Sequence, residues 1–472
     1  MLAIYPFLLF LLFSSSLHGK KDIKPNIIFI LTDDQRWDAL GVAGNNLIKT
    51  PEMDALAKNG VYFKNAFSTT PICAASRASI LTGLYERTHH YTFQKPKLQE
   101  AYTHIIYPKI LKDNGYHVGF FGKLGVVIDN PSQYFNESDF YDRGSRSDKG
   151  GYFYKKIGPD TVHLTRYSGH QAQSFISNAP KDKPFCLSIS FSAPHGHDSS
   201  VEQYFWQDKS TSLYENVDFP KPLLGQDLYF DRLPAEVKNG FNRVRWKWRF
   251  DTPEKYLRMM KGYYRMITEI DDEIGAIRNQ LAEKGLAENT IFIIMGDNGY
   301  FTGDRQLADK WLMYDPSIRI PLIIFDPRVP KKSRVVSDMV LNIDITKSIL
   351  DFAQIESPKN YQGESLKPFL YRNHYSLQRD FILIEHLWKL PEIPSSEGLR
   401  TKDWKYFRYR FINAPEELYD LKNDPLETKN LAQDQSHQKI LRKLRYKFTQ
   451  KVQQLKDEQL VEESSPQENI KF

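Results

Sequence analysis

The sequence predicts an α/β fold: a mostly parallel (mixed) central sheet flanked by helices, with a smaller C-terminal α+β subdomain around an antiparallel sheet. Three observations carry this. Residues 27–31, 291–295 and 322–325 are short apolar runs without polar alternation, and 185–191 is apolar but for two small serines, as expected of strands buried on both faces. Amphipathic helical patterns lie between these runs, which places helices on both faces of the sheet. From about Ser357 the texture changes to short strands and turns, at 381–385 and 404–409, so the larger unit is expected over 24–356 and the smaller over 357–472.

The first run ends at Thr32-Asp33-Asp34. Adjacent carboxylates at the end of a buried strand are costly unless a cation holds them, and ligands of open α/β sheets bind at that edge. A helix N-cap is the alternative use of such a pair. Residues 53–59 read as a helix stopped by Gly60, and 62–67 lead into Cys73, with helical pattern resuming over 77–81. A helix over 105–114 stops at Gly115, and a short strand over 118–121 ends at Gly122-Lys123. Residues 130–169, polar, aromatic and glycine-rich, read as surface loops near a site, and 171–178 as a helix. The run at 185–191 ends at Ala193-Pro194-His195, and the run at 291–295 at Gly296-Asp297-Asn298, with Lys310 following.

Residues 199–251 form a long insertion with little regular pattern, except that Arg243, Arg245, Lys247 and Arg249 alternate with Val244, Trp246, Trp248 and Phe250. A period of two sets cations on one side of an extended segment and aromatics on the other. That pattern suits an edge strand with solvated charges or a wall that contacts an anionic polymer. Thr252 caps a long amphipathic helix over 253–284, and Leu441, Leu444, Phe448, Val452 and Leu455 mark a final one. The tail beyond Glu462 reads as disordered.

Composition sets limits. The 472 residues are 41% hydrophobic and 14% aromatic, which describes a globular chain. The net charge of +6 suits an anionic substrate but is too small to indicate nucleic acid. Residues 1–13 are apolar and lead to small residues ending at Gly19, the pattern of a secretory signal peptide over 1–19, so a secreted or periplasmic location is expected. No later stretch is long and apolar enough to span a membrane. Cys73 and Cys186 are the two cysteines. One disulfide between them is a possible arrangement, and Cys186 as a packed strand thiol is the simpler one.

The stretch C-A-A-S-R-A-S-I-L-T-G, from Cys73 to Gly83, resembles the modification signature of the formylglycine-dependent sulfatases, within the alkaline-phosphatase-like superfamily. The likeness extends to N-I-I-F-I-L-T-D-D, F-S-A-P-H, S-I-R-I-P-L-I-I and E-L-Y-D-L-K-N-D-P-L-E-T-K-N-L-A, and so covers most of the chain. It implies that a maturase oxidises Cys73 to formylglycine, whose hydrated aldehyde is the nucleophile. It implies one Ca2+ ion held by Asp33, Asp34, Asp297 and Asn298 and touching the modified Cys73, an all-oxygen set suited to calcium. Arg77, Lys123 and Lys310 would form a cationic clamp on the sulfate, and His195 would protonate the leaving alcohol. The implied activity is an exported sulfatase acting on a sulfated polysaccharide or its oligosaccharides.

Three positions depart from the family pattern. Ala75 stands where proline is common, Leu124-Gly125 where the second residue after the lysine is commonly histidine, and Asp304-Arg305 where a Glu-His pair is common. His89, His90 and His163 are the candidates to replace the missing imidazole. A phosphonate or phosphodiester hydrolase of the same superfamily, or a non-catalytic glycan binder, are the alternative functions.

Overall fold

The computed structural model describes residues 24–93, 97–144, 149–330 and 333–460. The expected signal peptide and C-terminal tail lie outside the described residues. Eight strands form the central sheet: β1 (Asn26–Thr32), β2 (Val61–Phe63), β3 (His117–Gly122), β4 (Glu137–Phe140), β5 (Phe185–Ser190), β6 (Thr290–Gly296), β7 (Leu322–Phe325) and β8 (Arg334–Val336). Their spatial order is β8-β2-β7-β6-β1-β5-β3-β4, and only β7 runs against the others. The sheet is therefore mixed but mostly parallel, as expected.

Alternation along the strands builds two cores. Ile27, Phe29 and Leu31 of β1 point to one face, and Ile28 and Ile30 to the other. The first face is covered by α2 (Cys73–Thr82), α3 (Tyr107–Asp113) and α7 (Asp344–Phe352). The second is covered by α1 (Pro51–Asn59), α4 (Leu164–Asn178) and α6 (Pro253–Glu283). At the start of α6 the Thr252 side chain accepts from Lys255 N, the expected cap.

A separate four-stranded antiparallel sheet, β9 (Phe381–His386), β10 (Ser396–Thr401), β11 (Trp404–Tyr409) and β12 (Glu417–Asp420), carries the C-terminal region. Leu441, Leu444, Phe448 and Leu455 of α8 (Gln438–Asp457) pack into its core.

Two readings of the sequence need correction. The loop stretch at 130–169 contains β4, whose exposed edge position hides it from a search for apolar runs. More consequentially, the alternating segment at 243–250 is not extended: it lies in α5 (Phe241–Arg249). Helical spacing stacks Arg245 and Arg249 one turn apart, and both reach the carboxylates of Asp198 and Asp309. Four buried or half-buried charges that meet only in the helical conformation override a local preference for strand.

Candidate active site

The carboxyl ends of β1, β3, β5 and β6 converge and deliver Asp33 and Asp34, Lys123, His195, and Asp297 and Asn298. Cys73 opens α2 beside them, with Arg77 one turn further on. Every one of these residues and Lys310 is buried. The structure thus brings the whole expected set together.

Arg77 is the central tie. Its Nε donates to Asp297 Oδ2 at 2.8 Å, and its Nη1 donates to Lys123 O and Ser190 Oγ, both at 2.6 Å. Ser76 Oγ donates to the Asp297 carbonyl, which fixes α2 against the end of β6. Lys123 Nζ lies 2.5 Å from Asp33 Oδ2, and Lys310 Nζ lies 2.5 Å from Asp34 Oδ1. Burial alone would raise every carboxyl here. For Asp33 the surrounding Lys123, Arg77 and Lys310 overcome it and hold the group below its ordinary range. Asp34 is pushed up to about 7 by burial, against the pull of Lys310 and with the push of Asp33 and other nearby carboxylates.

The expected ligand set passes a test of fit. Asp33 Oδ1, Asp34 Oδ2 and Asn298 Oδ1 are buried with no hydrogen-bond partner. Three orphaned oxygens on three of the four expected ligands are what a hard divalent cation requires. Asp33, Asp34 and His195 also lie close enough together to share an ion.

His195 is oriented from both sides. Its Nδ1 bonds the Gly196 carbonyl at 2.6 Å, which leaves Nε2 facing Arg143 Nη2 at 3.0 Å and Asp34 Oδ2 at 3.4 Å. Burial, then Arg143, Lys310 and Lys123, depress its basicity well below that of a free imidazole. The Cys73 thiol is pushed up by burial, although Lys123 and Lys310 pull the other way. Both cysteines are free, and Cys186 is a fully buried residue of β5, so the disulfide alternative is not what the structure shows.

The absent histidine has a steric counterpart. Gly125 has φ +69°, and a Cβ there would stand 2.6 Å from Arg77 Cδ, so the chain at this point is packed against the guanidinium stem. None of His89, His90 and His163 lines the cavity above Cys73. His89 bonds Ser79 Oγ at 2.9 Å, and His163 stacks on Tyr152 and bonds Phe205 O. Of the Asp304-Arg305 pair, Asp304 holds Arg36, and Arg305 bonds the carbonyls of Leu426 and Glu427. These two residues tie loops together.

Sequence reasoning missed Asp142, Arg143, Asp198 and Asp309. Asp142 and Arg143 follow the overlooked β4, and Asp142 lies 3.3 Å from Lys123. Asp198 stands three residues after His195, and Asp309 immediately precedes Lys310. For Asp198 and Asp309, a carboxylate so close in sequence to His195 and to Lys310 was the available signal; Asp142 and Arg143 carried none. Asp309 and Trp311, on either side of Lys310, both have φ +76°, a conformation that side-chain-bearing residues hold only under tertiary constraint.

A sequence profile of the sulfatase family matches residues 25–355, and one of the N-sulphoglucosamine sulphohydrolase C-terminal region matches residues 303–454. The chain belongs to the sulfatase family. This sulfatase is 27% identical to an N-acetylglucosamine-6-O-sulfatase of Bacteroides thetaiotaomicron, across 92% of the chain and 87% of that relative. It is 28% identical to an ulvan-active sulfatase of Formosa agariphila, across 92% of the chain and 82% of that relative. A solved structure in complex with its substrate D-glucosamine-2-N,6-O-disulfate superposes with a TM-score of 0.79 at 26% identity, covering 92% of this chain and 98% of that one. A phosphonate monoester hydrolase from Silicibacter pomeroyi shares the fold with a TM-score of 0.74 at 22% identity, covering 91% of this chain and 95% of that one. The sulfatase is accordingly a sulfuric ester hydrolase.

Proposed function

We propose that this sulfatase hydrolyses sulfate esters of a sulfated polysaccharide or its oligosaccharides, outside the cytoplasm, after removal of residues 1–19. One observation carries the chemistry: Cys73 stands at the base of a cavity of about 680 Å³, lined there also by Lys123, His195 and Lys310. Oxidised by a maturase to formylglycine, residue 73 would supply a hydrated aldehyde as the attacking oxygen. Asp33, Asp34, Asp297 and Asn298 would hold a calcium ion, whose charge offsets that of the sulfate and of the attacking group.

The remaining work falls to the chain's own side chains. Arg77 cannot lose its proton and is fixed by three hydrogen bonds, so its Nη2, which makes no hydrogen bond and lies 3.7 Å from Asp33 Oδ2, is a preset donor beside residue 73. Lys123 and Lys310 present ammonium groups to the sulfate oxygens, where they stabilise charge as the ester bond breaks. His195 carries the proton for the leaving oxygen at Nε2, the ring nitrogen not engaged by Gly196. The arriving sulfate anion raises the proton affinity that the nearby cations suppress in the free enzyme. Arg143, in contact with that nitrogen, holds the ring in place until then.

Carbohydrate is favoured over a small aryl sulfate by the size of the cavity and by the sugar substrates of several relatives. A panel of defined sulfated oligosaccharides, assayed for released sulfate beside a phosphonate monoester and a nitrophenyl sulfate, tests the reading. Release from at least one oligosaccharide, with kcat/KM above that for both small esters, is expected. Preference for the phosphonate would replace the reading with the phosphonate hydrolase one, and binding without turnover by modified enzyme would make the chain a glycan binder.

A further inference from the structure

Above the charged base, the cavity changes character. One wall is a continuous hydrophobic cluster in which Trp311, Trp388, Leu390 and Ile393 pack together, with Phe93 and Phe241 against it. Trp388, Leu390 and Ile393 lie in the connection between β9 and β10, so the C-terminal region completes the wall. A second stretch, Val126, Val127 and Ile128, adds further aliphatic surface.

The charges within reach of this wall are already matched. The Arg245 guanidinium lies over the rings of Phe241 and Trp311, 4.1 and 4.6 Å from their centroids. It pairs with Asp198 at 2.6 Å and with Asp309 at 2.9 Å. Arg249 pairs with the same two carboxylates. Arg245 and Arg249 are thus matched by Asp198 and Asp309 and carry no net charge to recruit a second sulfate or a carboxylate of the substrate; Lys310, which also pairs with Asp309 at 3.3 Å, belongs to the sulfate site. Among the described residues at this wall, the buried donors without a hydrogen bond are Trp311 Nε1–H, which is neutral, and Arg245 Nη1, on the guanidinium seated over the two rings.

Given that the substrate is a sugar sulfate, we infer that the sugar presents to this wall a face on which a methyl-bearing substituent stands where a plain hexose has a hydroxyl or hydroxymethyl group. Away from those two donors, a hydroxyl buried against Trp388, Leu390, Ile393 or the aliphatic stretch would lose its water and gain no side-chain partner, whereas C–H and methyl groups gain contact with aromatic and aliphatic surface. The methyl group has two sources, a 6-deoxyhexose or an N-acetylhexosamine. The second would also use the Trp311 donor through its acyl oxygen.

The test compares sulfate release from three monosaccharide sulfates esterified at the same position: a 6-deoxyhexose, an N-acetylhexosamine and the unsubstituted hexose. An apolar pocket rejects a substrate that merely adds a hydroxyl by up to about 10²-fold, so kcat/KM for at least one methyl-bearing sugar should exceed that for the plain hexose by about tenfold or more. Trp388→Ala should collapse that ratio toward one. Val127→Asn, at a position 44% exposed and hence tolerant of change, should shift the ratio toward the hydroxylated sugar. A Trp311→Phe loss confined to the N-acetyl substrate would assign the acyl source, and a loss of the deoxy preference in Trp388→Ala alone would assign the deoxy source. Equal or better turnover of the plain hexose overturns the inference while leaving the sugar-sulfatase reading intact. Turnover of nitrophenyl sulfate alone, with no sugar sulfate cleaved, overturns both.

Discussion

Replacing Arg249 by Met probes the helix that the sequence concealed. Arg249 is fully buried, donates to Gln203 Oε1 at 2.7 Å and Tyr300 Oη at 3.0 Å, and pairs with Asp198 and Asp309. Methionine keeps most of the stem but removes every donor. Breaking one side of a buried ion pair costs about 3–5 kcal/mol. Asp198 and Asp309 both keep Arg245 as a partner, so the loss belongs at the lower end, about 3 kcal/mol. Unfolding entropy scales with length, and for a chain of 472 residues it comes to about 1 kcal/mol per degree, so the expected fall in Tm is about 3 °C. The same substitution loosens the link between the segment after His195 and the segment before Lys310, and kcat should fall about tenfold. Arg249→Lys, which restores one charge without the planar fork, should recover part of both losses. Scanning calorimetry and sulfate-release kinetics on the three proteins measure this. An Arg249→Met enzyme with unchanged Tm and kcat would refute the clamp, and so would a lysine variant worse than the methionine one.

Further outcomes follow from the same geometry. Calcium should raise the Tm of the wild-type protein and chelator should lower it, and Asp297→Ala should abolish that response; a variant that still responds would move the ion elsewhere. His195→Ala should reduce kcat/KM on a sugar sulfate by about 10²–10⁴-fold and on nitrophenyl sulfate far less, because a nitrophenolate leaves without a proton; equal losses would remove His195 from the leaving-group role. Glu86, pushed up to about 8 by burial and by Glu385, gives a pH signature. Between its ordinary 4.5 and about 8 the unfolded chain has lost a proton that the native state keeps, so its contribution to stability falls as pH rises through that window. Glu86→Gln should therefore raise Tm relative to wild type at pH 8 by about 1 °C or more and not at pH 4.5; a difference independent of pH would contradict this.

Much of the site was legible because buried parallel strands announce themselves twice, by an apolar run and by the polar residues that end it. Asp33, Lys123, His195 and Asp297 were all found that way. The reversal of β7 was not, since an apolar run carries no direction. The helix at Arg245 and Arg249 was hidden because a strict polar–apolar alternation fits a strand locally, while the carboxylates that decide the matter lie far away in sequence at Asp198 and Asp309. The aromatic wall was hidden for a similar reason. Trp311 and Trp388 are isolated in sequence and meet only when the C-terminal region packs on the cavity. Arg245 and Arg249 of the strip at 243–250, expected as a possible substrate wall, instead pair with carboxylates within the protein, and the aromatics that line the cavity come from other segments.

The most direct test of the proposed chemistry is the mass of the peptide containing Cys73, taken from enzyme shown to release sulfate. Residue 73 should have lost its sulfur and carry an aldehyde or its hydrate, in proportion to the specific activity of the preparation. Full activity from protein whose residue 73 is still an intact cysteine would contradict it.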